Sequence, residues 1–349
     1  MKLTIRTTMF VIAALCCISF ISVKAQQPLK QPDLSQKASV TQTIGFTNIK
    51  ITYHRPLVKG RVIWGGLVPY NKVWRAGADE NTTIAFSTPV KINGNELPAG
   101  KYGLHAIPSE NEWTIIFSND NAAWGSYFYD QSHDALRIQV KPEEAPFNEA
   151  LTYSFDNPEP VSVTAALYWE KLKVPFKIEV DVNKTVVESM SRELTGHAGF
   201  QASAFLQAAN YCIGNNYDLE QGLKWVDKSI SMNKNFGNVY AKSRLLEKTG
   251  KADEAKQLES EAMQIATEND LNSLGSQLTS EKEYDKAIEI FNVNLKSHPN
   301  SLRAYTGLAN IYSITGNKDL ALKNYETAKN LAQDQNTKDG IQKSIDGLK

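Results

Sequence analysis

The stretches "NSLGSQLTSEKEYDKAIEIFNVNLKSHPN" (Asn272–Asn300) and "YTGLANIYSITGNKDLALKNYETAKNL" (Tyr305–Leu331) settle the architecture of half the chain. In both, apolar and small residues recur at three- and four-residue spacing, the signature of amphipathic helices. The two stretches line up at a fixed offset: Ala287 and Ala321 lie 34 residues apart. A period of that length means a supersecondary unit that cannot bury its apolar face alone and must stack on copies of itself.

The pattern resembles the tetratricopeptide repeat. Leu274, Gly275, Leu278, Tyr284, Ala287, Phe291 and Pro299 fall on that family's helix-packing positions. Tyr305, Leu308, Ala309, Tyr312, Gly316, Ala321, Tyr325 and Ala328 repeat them. Small residues let the helices of a pair approach, and aromatics fill the space between pairs. Fainter units precede these, with Gly222, Trp225 and Val226, then Gly250, Ala255 and Ala262, in register. About four helix pairs are expected over 201–334, after a helical lead-in from 184 and before a polar end helix reaching 349. The resemblance implies a groove lined by first helices. Its residues here would be Tyr240, Arg244 and Glu247, then Asn272, Ser276 and Thr279, then Arg303, Thr306, Asn310 and Ser313. Asn and Arg donors there suit a peptide or protein partner.

Upstream the period changes. Between 40 and 183 the chain reads as short runs rich in β-branched and aromatic residues, such as "IKITYH" (49–54), "TTIAF" (82–86), "EWTIIFS" (112–118) and "FKIEVDV" (176–182). Turn residues separate them, and Asn93-Gly94 suits a type I′ hairpin, whose two central residues need positive φ. Strands so short and numerous predict an antiparallel β-sandwich or jelly-roll-like domain, and no helix of normal length fits before 184. The fold class is therefore a β domain followed by an α-helical solenoid.

Within this half, "RPLVKGRVIWGGLVPYNKVWRAGADENTTIAFSTPVKINGNELPAGKYGLHAIP" (55–108), "EWTIIFSNDNAAWGSYFYDQSHDALRIQV" (112–140) and "ALYWEKLKVPFKI" (166–178) occur in order. Together they resemble the family known as domain of unknown function 2911, over about 55–182. The resemblance implies an exported bacterial β domain, often joined to tetratricopeptide repeats, and it supplies no reaction. Its most distinctive turn, "VWRAGADENTT" (73–83), carries Trp74, Arg75 and Glu80. With Trp124, Arg137, Trp169 and Glu170 these could form an aromatic-walled rim that grips a sugar or a peptide. The alternative is a structural corner, in which Arg75 forms a buried ion pair with Glu80 or Glu170 and the tryptophans are core.

Residues 1–25 read as a cleavable signal peptide: a basic start at Lys2 and Arg6, an apolar run from Met9 to Val23, and a small-residue site at Val23-Lys24-Ala25. Cys16 and Cys17 lie inside that run, a poor context for lipid attachment. Residues 26–39 read as a flexible segment, and export would deliver the mature chain to the periplasm or the exterior. With the leader gone, 35 of the 38 basic residues remain against 38 acidic ones. That balance argues against nucleic acid as a partner. No later run is apolar enough to anchor the mature chain in a membrane. Cys212 is then the sole cysteine, so no internal disulfide is available.

Catalytic motifs are sparse. Gly125-Ser126 lacks the strand-to-helix setting of a nucleophile elbow. His54, His105 and His133 could meet as a zinc site only if the fold converged them, and no metal or cofactor is expected. Glu80, Asp130, Asp134 and Glu170 could supply a hydrolytic carboxylate pair, but no spacing selects one. The reading is a non-enzymatic protein whose repeats bind a protein or peptide. The alternative is a carbohydrate-active or other hydrolytic β domain with the repeats as adaptor.

Overall fold

A computed structural model describes residues 32–348 of the 349-residue chain. The leader, the lipid-attachment question and residues 26–31 of the flexible segment lie outside the described residues, and a strand begins within that segment at Gln36. The chain divides into a unit that runs to Val180, apart from Gly45–Thr47, and a second that takes in those three residues and the chain from Asp181.

The first unit contains ten strands in two antiparallel sheets. One sheet orders β1 (Gln36–Ile44), β2 (Thr47–Arg55), β3 (Thr83–Phe86), β6 (Gly100–Ile107), β7 (Trp113–Ser118) and β8 (Asp134–Val140). The other orders β5 (Asn95–Leu97), β4 (Val90–Ile92), β10 (Ser162–Glu179) and β9 (Glu143–Glu159). The sandwich follows from alternation: in β2, Ile49, Ile51 and Tyr53 are buried while Asn48 and Lys50 between them are exposed. Aromatic rings join the layers, with Phe117 edge-on to Phe176 at 5.7 Å and Tyr53 to Tyr153 at 4.9 Å. Asn93 and Gly94 take φ of +47° and +82°, the handedness that a two-residue hairpin turn demands.

Ten helices are found among the described residues. A lead-in, α1 (Val182–Glu193), precedes four pairs: α2 (Ala202–Asn215) with α3 (Leu219–Met232), α4 (Phe236–Lys248) with α5 (Ala252–Ile265), α6 (Glu268–Ser280) with α7 (Tyr284–Ser297), and α8 (Leu302–Ile314) with α9 (Lys318–Leu331). The amphipathic α10 (Gln335–Asp346) ends the stack. Thr267 and Asp270 form a reciprocal capping box that starts α6, and Ser301 accepts from the Ala304 N–H to start α8. No helix among the described residues is long and apolar enough to cross a membrane.

Packing explains the small residues. A Cβ added to Gly275 or Gly307 would fall 2.6 Å or 2.3 Å from the ring of Phe291. Phe291 of α7 is thus wedged against bare backbone of α6 and α8, and its burial stabilises the stack by roughly 1.5–3 kcal/mol. At the start of the stack, Cys212 is buried in α2, where Gly222 lets α3 approach closely. Burial, aided by the charge of Asp218, pushes the Cys212 thiol up to about 11.

Candidate functional site

The "VWRAGADENTT" segment is tied down by its own backbone. Trp74 exchanges two 2.8 Å hydrogen bonds with Ala106 of β6, and its indole N–H donates to the Gly77 carbonyl. Ala76 sits at φ +50°, a conformation costly for a residue with a Cβ. It is held there because its carbonyl accepts from both Thr82 Oγ1 and the Tyr153 hydroxyl. Gly77 must lack a side chain, since a Cβ would lie 2.5 Å from Thr82 Oγ1. Trp74 stacks on Trp169 at 5.9 Å, and Trp64 and Trp113 close a four-indole cluster.

Beside this cluster lies a cavity of about 430 Å³. Trp74 and Trp169 form one wall, with Leu57, Leu67 and Val68 as further apolar lining. Arg55, Lys59, Arg61 and Arg75 bring four cations to it, against the single acid Asp79. Asp79 accepts the Ser35 N–H at 3.2 Å. The Arg75 Nε–H and the Trp169 indole N–H are buried and meet no acceptor among the described residues.

The expected rim therefore separates. Trp74, Arg75 and Trp169 share the cavity. Trp124 is half-exposed, stacked on Tyr127, with the Arg75 guanidinium 5.8 Å from its ring centre. No ion pair joins Arg75 to Glu80 or Glu170, which corrects the buried pair anticipated for this corner. Glu80 is exposed and pairs with Lys37 at 2.5 Å, and that contact holds its carboxyl below the ordinary value. Glu170 sits at a bulge in β10 with φ +57°, where its carboxylate accepts the Lys171 N–H. Arg137 binds Asp134 at 2.5 Å and the Tyr129 hydroxyl.

The carboxylates offered for hydrolysis are thus each engaged elsewhere, Asp130 by the Ser132 N–H and hydroxyl. The histidines do not share a ligand set either. His54 meets Asp33, His133 meets Asp120 and His105 meets Ser126, and no metal-binding group of three appears among the described residues. The His105–Ser126 contact, 3.1 Å, has the first two members of a nucleophilic arrangement. No acid among the described residues hydrogen-bonds the imidazole to orient it, and Asp134 turns its Oδ2 to Tyr129 and Arg137. Burial drives His105 down to about 4, against the pull of Asp134 and Asp120, so it is neutral at pH 7.

Sequence reasoning overlooked Arg55, Lys59, Arg61 and Trp64. Three basic residues within seven positions, with no acid among them, were the available signal.

The helical unit carries a second cleft, where two adjoining hollows of about 430 and 460 Å³ share Tyr240, Lys256, Glu259, Leu278 and Lys286. Arg244, Glu247 and Lys248 of α4 continue one wall. Met263 of α5 and Ile290 and Val293 of α7 supply apolar floor. Tyr240 stacks on the buried Phe236 at 5.5 Å, and burial raises its hydroxyl. Lys286 and Glu283 pair at 2.6 Å, each keeping the other charged.

Of the expected groove residues, Tyr240, Arg244 and Glu247 line this cleft. Asn272 does not face solvent: it is 2 % exposed, accepts from Asn294 Nδ2 at 2.9 Å and reaches Ser301. It locks pairs together instead of presenting an amide to a ligand. Ser276 and Thr306 return their hydroxyls to helix carbonyls. Arg303 donates to Asn269, and Asn310 accepts from Tyr325 at 2.5 Å.

Sheets, corner and helix pairs define a class: an antiparallel β-sandwich followed by a tetratricopeptide-type stack. Residues 35–178 match the family model described as "Protein of unknown function (DUF2911)", and residues 302–335 match a tetratricopeptide repeat model. The first match starts 20 residues before the expected limit, taking in β1 and β2. No curated protein matches the chain. Among solved structures it is similar to YrrB, described as a TPR protein with an unusual peptide-binding site, at 16% identity over 46% of this chain and 84% of that one, TM-score 0.27. MamA is similar at 16% over 43% and 88%, TM-score 0.27. For PilF of Pseudomonas aeruginosa the values are 15%, 42% and 67%, TM-score 0.27.

Proposed function

We propose that the protein is exported and acts as a non-enzymatic binding protein, holding a peptide segment of a partner in the cleft between α4–α5 and α6–α7. Helical repeats of this type offer extended surfaces for binding proteins. One observation carries the assignment to this cleft: it is a continuous hollow with an apolar floor, a half-buried tyrosine and a charged rim. Burying apolar side chains on such a floor supplies affinity, while the rim sets register and sign. Glu283 and Lys286 neutralise one another, leaving Arg244, Lys248 and Lys256 balanced by Glu247, Glu259 and Glu289. The segment that fits is apolar and carries charges of both signs.

The test is an immobilised peptide library probed with the full mature chain. Apolar peptides that carry charges of both signs should be enriched. Tyr240→Ala and Arg244→Glu should weaken them roughly tenfold or more, the effect of losing a central anchor. Arg303→Glu, outside the cleft, should leave them unchanged. Peptides that ignore both cleft substitutions would remove the cleft from consideration. Export rests on the composition of residues 1–25. Amino-terminal sequencing of the chain from fractionated cells checks it, a cytosolic chain starting at Met1 being the contrary outcome.

A further inference from the structure

The cavity of the β unit poses an electrostatic problem that the helical cleft does not. Arg55 spends its Nε–H on the Leu151 carbonyl and an Nη on Thr152 Oγ1, and Arg61 donates to the carbonyls of Val58 and Leu57. These acceptors are neutral. The Arg75 Nε–H is buried with no acceptor among the described residues, and the guanidinium lies over the face of Trp124. Lys59 adds a fourth cation, and Asp79 is the one acid in the lining. A partly buried guanidinium without a counter-charge is costly, so the site is complementary to an anion.

The kind of anion follows from the walls. Arg75 Nε–H and the Trp169 indole N–H are donors without acceptors, and a guanidinium edge matches the two oxygens of a carboxylate. The indoles of Trp74 and Trp169 with Leu57, Leu67 and Val68 call for a carbon body behind that head group. At about 430 Å³ the space lies in the range of small-molecule sites. We infer that the β unit binds a small organic carboxylate, its head group on Arg75 and the Trp169 N–H, and its body against the apolar wall. The orphaned donors are then the unfilled half of a ligand's hydrogen bonds.

Calorimetric titration of the full mature chain tests this with four probes: glucuronate, N-acetylphenylalanine, glucose and inorganic phosphate. At least one carboxylate should bind, and which one separates a sugar acid from an amino-acid derivative. Glucose should not bind, and phosphate should bind more weakly than the better carboxylate. Arg75→Gln should lower the carboxylate affinity roughly tenfold or more. Trp169→Phe, which keeps a ring and deletes the N–H, should lower it several-fold, and Arg137→Gln should leave it unchanged. Should Arg75→Gln perturb the near-ultraviolet dichroism of the indole cluster, Arg61→Gln at the exposed mouth replaces it, with a smaller loss expected. The inference is overturned if neither carboxylate binds at millimolar concentration, if glucose or phosphate binds as well as the carboxylates, or if the cavity substitutions change nothing. None of these outcomes bears on peptide capture by the helical cleft.

Discussion

The two units treat buried polarity in opposite ways. In the helical unit, Asn238 donates to Ser229 and to the Asn233 carbonyl, Asn294 bridges Asn272 and His298, and Ser243 returns its hydroxyl to the Tyr240 carbonyl. Every buried side-chain atom without a partner among the described residues belongs instead to the β unit: on His54, Trp64, Arg75, Asn81, Asp134 and Trp169. Satisfied polar groups fix how repeats register on one another. Unsatisfied ones destabilise the state that contains them, and they persist where something else completes them. The helical unit thus closes its buried polar groups internally, whereas the β unit leaves six buried side-chain atoms without a partner among the described residues.

Four experiments can break or sharpen that contrast. The largest effect concerns His105, buried without charge. Its folded value of about 4 lies below the ordinary 6.5, so the unfolded chain takes up the proton first as pH falls. Stability is complete above about 6.5 and is lost down to about 4, by on the order of 3 kcal/mol. Urea unfolding followed by near-ultraviolet dichroism should show this loss between about pH 7.5 and about pH 4.5, with a flatter dependence in His105→Gln. Next comes Asn294→Leu, which strands Asn272 and His298 and should cost about 1–3 kcal/mol in the far-ultraviolet transition. If it costs nothing, the satisfied network is ornamental.

The third compares two indoles. Trp113 donates to the Ser109 carbonyl at 3.0 Å, whereas the Trp64 N–H is orphaned. Trp64→Phe should therefore cost about 1 kcal/mol less than Trp113→Phe in urea midpoints. Equal costs would mean that the orphaned donor carries no penalty. Smallest is Glu80→Gln, which breaks an exposed pair with Lys37 and should move stability by no more than about 0.5 kcal/mol.

The helix pairs were legible because their packing is written in local chemistry. Ala287 and Ala321 are fully buried where the period placed them. Gly307 escaped notice because the repeat's small position is Ala309, two residues on, and only the wedge of Phe291 explains it. The strands and the Asn93-Gly94 turn were legible for the same local reasons. The candidate sites were read less well because they depend on long-range partners. Tyr240, Arg244 and Glu247 share a helix face and stayed together. Asn272 looks like surface until Asn294, 22 residues away, is brought against it. Arg75 invited a carboxylate partner, but Lys37 takes Glu80 and the β10 bulge turns Glu170 to its own chain.

Cys212 has a use for the experimenter. Its thiol is fully buried and poorly ionised, so an alkylating reagent reaches it only when the first helix pair opens. The rate of labelling is then a clock for that opening, set into the chain without any engineered probe. Slower labelling on adding a peptide would report, from the first pair, that occupation of the cleft tightens the stack.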